Sequence, residues 1–223
     1  MKTEPTPQKS ALKIRQLGLQ EYQYTWDAMK DFCEQRTSDS ADEIWLVEHP
    51  AVFTQGVSGK AEHILNSSDI PIIQSDRGGQ VTYHGPGQLV MYVMFDLHRL
   101  GIGIRALVDI LENITIEGLK KYGLSAVARK DAPGVYIDDE KIASLGLRVK
   151  KGCSYHGLSV NIKMDLTPFS FINPCGYEGL KITQLSEHGV HCYPLDFAAV
   201  LLHELKAQLN YLPQLANSDT QTV

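Results

Sequence analysis

Seven consecutive residues, Leu89-Val90-Met91-Tyr92-Val93-Met94-Phe95, are apolar on both alternations of a strand. Such a strand must be covered on both faces, so it belongs in the middle of a layered structure. Directly before it runs Arg77-Gly78-Gly79-Gln80-Val81-Thr82-Tyr83-His84-Gly85-Pro86-Gly87-Gln88, in which glycines surround a short β-type run, Gln80 to Tyr83. Glycine beside a central strand marks a place where backbone approaches something that a Cβ would strike. The double glycine after Arg77 also leaves amide N–H groups free to face a ligand oxygen. A tight turn at Gly85-Pro86-Gly87 explains part of the stretch. It leaves Arg77, the double glycine and His84 unexplained, so a ligand-lined strand–loop–strand is the better reading.

The rest of the chain provides what such a strand needs. With 223 residues, 43% of them apolar and 21% charged, it suits one domain with a real core. A net charge of −5 argues against nucleic-acid binding. No apolar run is long enough to span a membrane. Met1 to Ala11 is polar and holds two prolines, as a loose tail would, and shows no signal peptide. Cys33, Cys153, Cys175 and Cys192 form no C-x-x-C pair, so free thiols in a cytoplasmic protein are expected. No His, Cys or carboxylate cluster has metal-ligand spacing, and no P-loop occurs.

The pattern predicts a helix over 19–36 with Tyr22, Trp26, Met29, Phe32 and Cys33 as its stripe. Strands follow at 43–49, 52–54 and 70–75, with a short helix over 60–65 between the last two. The clearest helix covers 104–122. Ile104, Leu107, Val108, Leu111, Ile114, Gly118, Leu119 and Tyr122 face the core there, Arg105, Asp109, Glu112 and Lys120 face outward, and Gly123 stops it. From Ala132 the texture is β: a hairpin over 134–149 with a polar turn at Asp138-Asp139-Glu140, then a third strand over 153–162. Residues 168–179 are irregular, 183–188 form a helical turn, and a last helix runs over 195–211. The expectation is one α+β domain over 12–212, a mixed β-sheet flanked by helices, with tails at 1–11 and 213–223.

Cys175 lies in Asn173-Pro174-Cys175-Gly176, where the proline and glycine hold the thiol on a bent, accessible loop. That suits a nucleophile as well as an inert loop thiol. Cys33 sits on a helical apolar stripe and reads as core. On its strand, Lys141 shares a face with Ala143, Leu145, Leu147 and Val149 if no bulge intervenes. A buried amine there would lose charge and become a base, unless the side chain reaches back to solvent. His156 alternates with Ser154, Leu158 and Val160, which suggests a core histidine or a substrate contact. His84 has the stronger claim to face a ligand. His188 and His191 would be the partners of Cys175 in a Cys–His hydrolase, though nothing fixes them.

Arg77–Leu89, Lys141-Ile-Ala-Ser-Leu-Gly-Leu-Arg-Val149, His156-Gly-Leu-Ser-Val-Asn161 and Pro174-Cys-Gly176 together resemble the octanoyltransferase family, in the same order from about Leu19 to Tyr211. The resemblance implies a fold similar to that of biotin and lipoate ligases. It implies a thiol-dependent acyltransferase that uses no ATP and no metal. The octanoyl (or lipoyl) group would come from the phosphopantetheine of acyl carrier protein and go to a lysine of the lipoyl domains of 2-oxoacid dehydrogenases or glycine-cleavage protein. The enzyme is expected to act as a cytoplasmic monomer without nucleic acid or membrane.

By position, Cys175 matches the acyl-thioester nucleophile and Lys141 the lysine whose ammonium favours its thiolate. Arg77, Gly78, Gly79, Gln80, Val81, Thr82, Tyr83 and His84, with Ser144, Leu145, Gly146, Gly157, Leu158 and Ser159, match the segments that line the acyl pocket. Ser159 departs from the small apolar residue expected there, which makes that wall more polar. Amides at Gly78–Gly79 or Cys175–Gly176 are candidates for an oxyanion hole, where one donor is typically worth ~3 kcal/mol. Arg129-Lys130, Arg148 and Lys150-Lys151 would form a basic docking patch for an acidic carrier protein. An ATP-dependent ligase on the same fold and a non-catalytic binder of lipoylated domains are the alternatives.

Overall fold

The computed structural model describes residues 12–66 and 68–209. The tails expected at 1–11 and 213–223, and the end of the last helix beyond 209, lie outside the described residues. Sequence alternation fixes the layers. Strand β6 (Gln88–Met94) is buried throughout, as its two-faced apolar pattern requires. Leu89, Met91 and Val93 enter one core with Phe95, while Val90, Tyr92 and Met94 enter another on the opposite face. Strand β2 (Asp42–Glu48) divides in the same way, Ile44 and Leu46 against Trp45 and Val47.

These strands form a seven-stranded mixed sheet in the order β1-β2-β6-β10-β9-β8-β7. Its other members are β1 (Leu12–Leu19), β7 (Val127–Ala128), β8 (Val135–Ile137), β9 (Glu140–Lys150) and β10 (Cys153–Asn161). Only β1 pairs in parallel, with β2. Helix α1 (Tyr22–Gln35) covers one face through Met29 and Cys33. Helices α3 (Ile104–Lys120) and α4 (Pro194–Leu209) cover the other through Leu107, Leu111, Ile114, Phe197 and Leu201. Gly118 lets α3 meet α4 closely, since a Cβ there would lie 3.1 Å from Leu201 Cδ2. A short helix, α2 (Leu97–Leu100), links sheet to α3, and Asp96 caps it by accepting from Arg99 N.

The sequence reading of a mixed α+β sheet holds, with three differences. First, the glycine-rich stretch is the expected strand–loop–strand, but its two strands belong to different sheets. Strand β5 (Val81–His84) pairs with β3 (Val52–Gln55), which also carries β4 (Ile72–Gln74), in a separate three-stranded sheet. The Gly85–Gly87 turn carries the chain from one sheet to the other. Gly87 has φ +85, and a Cβ there would sit 1.9 Å from Lys163 O, so only glycine fits this crossing. Second, β1, α2 and β7 are elements that the sequence pattern does not reveal. Third, Glu112 points inward from α3 and is 5% exposed, not on the solvent face assigned to it.

Candidate active site

Cys175 and Lys141 are far apart in sequence, and backbone pairing brings them together. After the Cys175 turn the chain runs back beside the start of β9: Lys141 N donates to Lys181 O at 2.8 Å and Thr183 N to Lys141 O at 3.0 Å. Upstream, Asn173 N donates to His63 O at 2.8 Å and pins the other side of the turn. Within the short 3-10 turn Pro174–Gly176, Cys175 has φ +56, a left-handed conformation that is costly for a residue with a side chain. The result is a direct contact, Lys141 Nζ donating to Cys175 Sγ at 3.0 Å. His188 instead bonds Thr183 Oγ1 at 2.9 Å, so the Cys–His alternative finds no support in its placement.

Lys141 is 1% exposed and does not reach solvent. Its Nζ also donates to Pro133 O at 3.0 Å and lies 5.3 Å from the Tyr136 ring centre. Burial opposes its charge, but the attraction and hydrogen bond of Cys175, followed by those of Tyr136, outweigh burial and raise its pKa. The expectation of a discharged amine is thus reversed by its contact with Cys175. Simple alternation also fails here. Val135 pairs with Ala143 and Tyr136 with Lys141, so Ile142 bulges, and Ile142 and Ala143 both enter the core. The bulge frees Lys141 from the face of Leu145 and Leu147.

Cys175 stands at a cavity of about 300 Å³ walled by Gly78, Gly79, Gln80, Leu145, Gly146 and Tyr177. That volume is at the lower end of small-ligand sites. Leu145 and Gly146 also wall a smaller cavity of about 30 Å³, whose lining includes Arg77, Thr82, His84, Ser144, Gly157, Leu158 and Ser159. The expected pocket segments therefore meet, with two exceptions. Val81 and Tyr83 turn away and pack with Phe53 and Phe169, because alternate residues of β5 face opposite sides. Gly78 and Gly146 permit a close backbone crossing: Gly78 N donates to Leu147 O at 3.0 Å, and a Cβ on Gly146 would lie 3.0 Å from Gly78 O. Gly157 serves β6, since its Cβ would sit 2.0 Å from Met91 O.

Arg77 organises the loop. Its guanidinium donates to Thr54 O, Thr54 Oγ1, Gly78 O and Gln80 O. The smaller cavity adds three residues the sequence reading missed, Tyr22, Val90 and Tyr92. Tyr92 was legible as the one hydroxyl in an apolar strand. His49 Nδ1 donates to Gln20 O at 2.6 Å, so its Nε2 accepts from Tyr92 OH at 2.7 Å. His84 bonds Gln88 Oε1 at 2.7 Å and is pushed down to about 3, mainly by burial. His156, with φ +61, leaves the alternation of Leu158 and Val160 and donates from Nε2 to Asp76 Oδ1 at 2.9 Å. Asp76 also accepts from Trp26 and Tyr155; burial opposes its charge, but these donors hold the carboxyl well below the usual range.

Part of the expected basic patch carries exposed ion pairs. Lys150 and Lys151 both bind Glu34, at 2.7 and 2.5 Å, and Arg129 binds Asp139. Among the described residues no three His, Cys, Asp or Glu side chains are arranged to hold a metal ion. No described helix is long and apolar enough to cross a membrane.

Residues 21–206 match the lipoyl protein ligase A/B catalytic domain. The octanoyltransferase of Shewanella sp. strain MR-7 is 59% identical over 92% of this chain and 94% of that protein. That of Vibrio cholerae is 55% identical over 91% and 94%. The chain belongs to the octanoyltransferase family. It is an acyltransferase of protein lipoylation and lipoate biosynthesis. Its fold is that of the ligases. A crystal structure of lipoate-protein ligase A bound with ATP superposes with TM-score 0.71 at 14% identity, over 91% of this chain and 86% of that one. Biotin protein ligase of Aquifex aeolicus gives 0.55 at 11% identity, over 89% and 69%.

Proposed function

We propose that the octanoyl group passes through a thioester on Cys175, and that Lys141 carries one proton through both halves of the reaction. The contact of Nζ with Sγ at 3.0 Å, at the cavity mouth, carries this reading. The donor is the octanoyl (or lipoyl) thioester of acyl carrier protein, and the acceptor is a lysine of a lipoyl domain. In the first half the Cys175 thiolate attacks the acyl carbonyl. The bond to the phosphopantetheine sulfur breaks, and that sulfur takes a proton from the Lys141 ammonium. In the second half the acceptor amine attacks the acyl-Cys175 carbonyl. Its proton goes to Lys141, Cys175 leaves as thiolate, and the starting state returns.

The two causes acting on Lys141 explain why one residue serves both halves. Facing a thiolate, its ammonium is favoured. Acylation removes that negative charge while burial remains, and burial alone pushes an amine toward its neutral form. Lys141 thus becomes a base when a base is required. Thioester exchange is close to neutral and amide formation runs downhill, so the scheme requires neither ATP nor a metal. Of the candidate oxyanion donors, the Gly78 and Gly176 amides are committed to Leu147 O and Asn173 O, which leaves Gly79 and Cys175.

Intact mass after mixing with octanoyl carrier protein tests the reading. A gain of about 126 Da on the Cys175 peptide, lost to an added lipoyl domain, is expected for an acyl-enzyme. No adduct, with transfer intact, would contradict it and favour direct or adenylate chemistry. Release of free octanoate in the presence of acceptor would point to a hydrolase.

A further inference from the structure

Glu112 stands behind the thiol–amine pair. It follows Val108, which walls the larger cavity, by one helical turn, and it is buried on a helix despite its charge. Burial, with Asp109 adding to it, pushes the Glu112 carboxyl up, and the Gly134 N–H, Arg105 and Lys141 act against it in favour of the carboxylate. Its Oε1 accepts the N–H of Gly134 at 2.9 Å. That N–H belongs to the peptide unit whose carbonyl, on Pro133, accepts from Lys141 Nζ. One amide therefore lies between the ammonium and the carboxylate, oxygen toward the cation and hydrogen toward the anion. Each charge polarises the amide so that the other hydrogen bond strengthens. Gly134 is pressed onto the lysine: at φ +143, a Cβ would lie 2.7 Å from Ala143 O and 2.9 Å from Lys141 Cε.

We propose that Glu112 is a positioning residue for the transfer reaction, fixing Lys141 over Cys175 through the Pro133–Gly134 peptide and favouring its ammonium form. The role rests on the acyl-thioester reading above. Other charges act on the same groups. Tyr136, with Arg129 over its ring, and Cys175 face Lys141; Arg77 acts on Cys175; Arg105 and Asp109 act on Glu112 from its own helix. None of them is joined to Lys141 through a single peptide unit as Glu112 is. Glu112→Gln separates charge from anchoring, because the amide oxygen still accepts from Gly134 while the charge is gone.

The test follows Cys175 acylation by octanoyl carrier protein against pH in the full-length protein, read by intact mass, for the unaltered enzyme, Glu112→Gln and Glu112→Ala. The Gln variant is expected to keep KM for the carrier protein and to move the basic limb down by about half a pH unit, since an ammonium without its anion loses its proton sooner. The Ala variant is expected to acylate about tenfold more slowly as well, because Lys141 is no longer held. A Gln variant whose basic limb coincides with that of the unaltered enzyme overturns the proposal, whether or not the Ala variant folds. Failure of the acyl-thioester reading is a separate result, seen as no adduct in the unaltered enzyme.

Discussion

Two sulfur–cation contacts of the same length occur among the described residues, and only one has the surroundings of a nucleophile. Lys141 Nζ lies 3.0 Å from Cys175 Sγ, and Arg36 Nη1 lies 3.0 Å from Cys153 Sγ. Cys153 also sits 3.1 Å from Cys33 Sγ. The Cys33 hydrogen bond, with Arg36 adding to it against burial, pulls the Cys153 thiol down and pushes Cys33 up. A favoured thiolate is therefore not enough. Cys33 and Cys153 are buried under α1 and line neither cavity, whereas Cys175 is half-buried at the mouth of one. The cations differ too. A lysine can release and retake a proton in the course of a reaction, and an arginine cannot.

Replacing the sulfurs gives the largest contrast. Cys175→Ala is expected to lower lipoyl-domain octanoylation by at least about a thousandfold, as loss of a nucleophile does. Cys153→Ala is expected to keep the activity and to lose about 1–2 kcal/mol of stability, from a small buried hole, in urea unfolding. Equal losses of activity would erase the distinction between the two sites. Exchanging the cations comes next. Lys141→Arg keeps a charge that cannot be given up, and a fall in turnover of about a hundredfold is expected. Arg36→Lys is expected to leave turnover near that of the unaltered enzyme and to weaken the packing of α1, read as a lower melting temperature.

Acid sharpens the comparison from the cavity side. The His49 and His84 imidazoles are pushed down to about 4 and about 3, foremost by burial. The unfolded chain takes up their protons near pH 6.5, so their contribution to stability is complete above that pH and is lost as the pH falls toward the folded values. At pH 5 each is expected to cost roughly 2 kcal/mol of stability, measured as a shift of the urea midpoint from its value at pH 7. His84→Gln should flatten that dependence.

Much of this site could be read from residues alone, where the pattern was local or closely matched a family. The two-faced strand Leu89–Phe95 placed the centre of the sheet, Ile104 to Lys120 revealed its helix by periodicity, and Asp138-Asp139 marked a turn with both residues left-handed. Cys175 was visible through its proline and glycine neighbours. What stayed hidden depends on pairing. A one-residue bulge at Ile142 redirects Lys141, and alternation cannot foresee a bulge. Strands β5 and β6 are neighbours in sequence yet belong to different sheets. Edge strand β1 is mostly exposed, so its apolar signal is weak. Glu112 follows Val108 at helical spacing, but a charged residue on a helix reads by default as solvated, and its partner, the amide of Gly134, leaves no trace in composition.

The charge of Lys141 before and after Cys175 is modified is the most direct measure of the account. In protein labelled at lysine, the 13Cε and 15Nζ resonances of Lys141 report whether the amine is protonated, and an octyl thioether on Cys175 reproduces the uncharged sulfur of the acyl-enzyme. The expected result near neutral pH is an ammonium in the free enzyme and a neutral amine in the S-octyl form. An ammonium that persists in both forms, with a basic pKa unmoved by alkylation, would contradict the account and leave the second half of the reaction without its base.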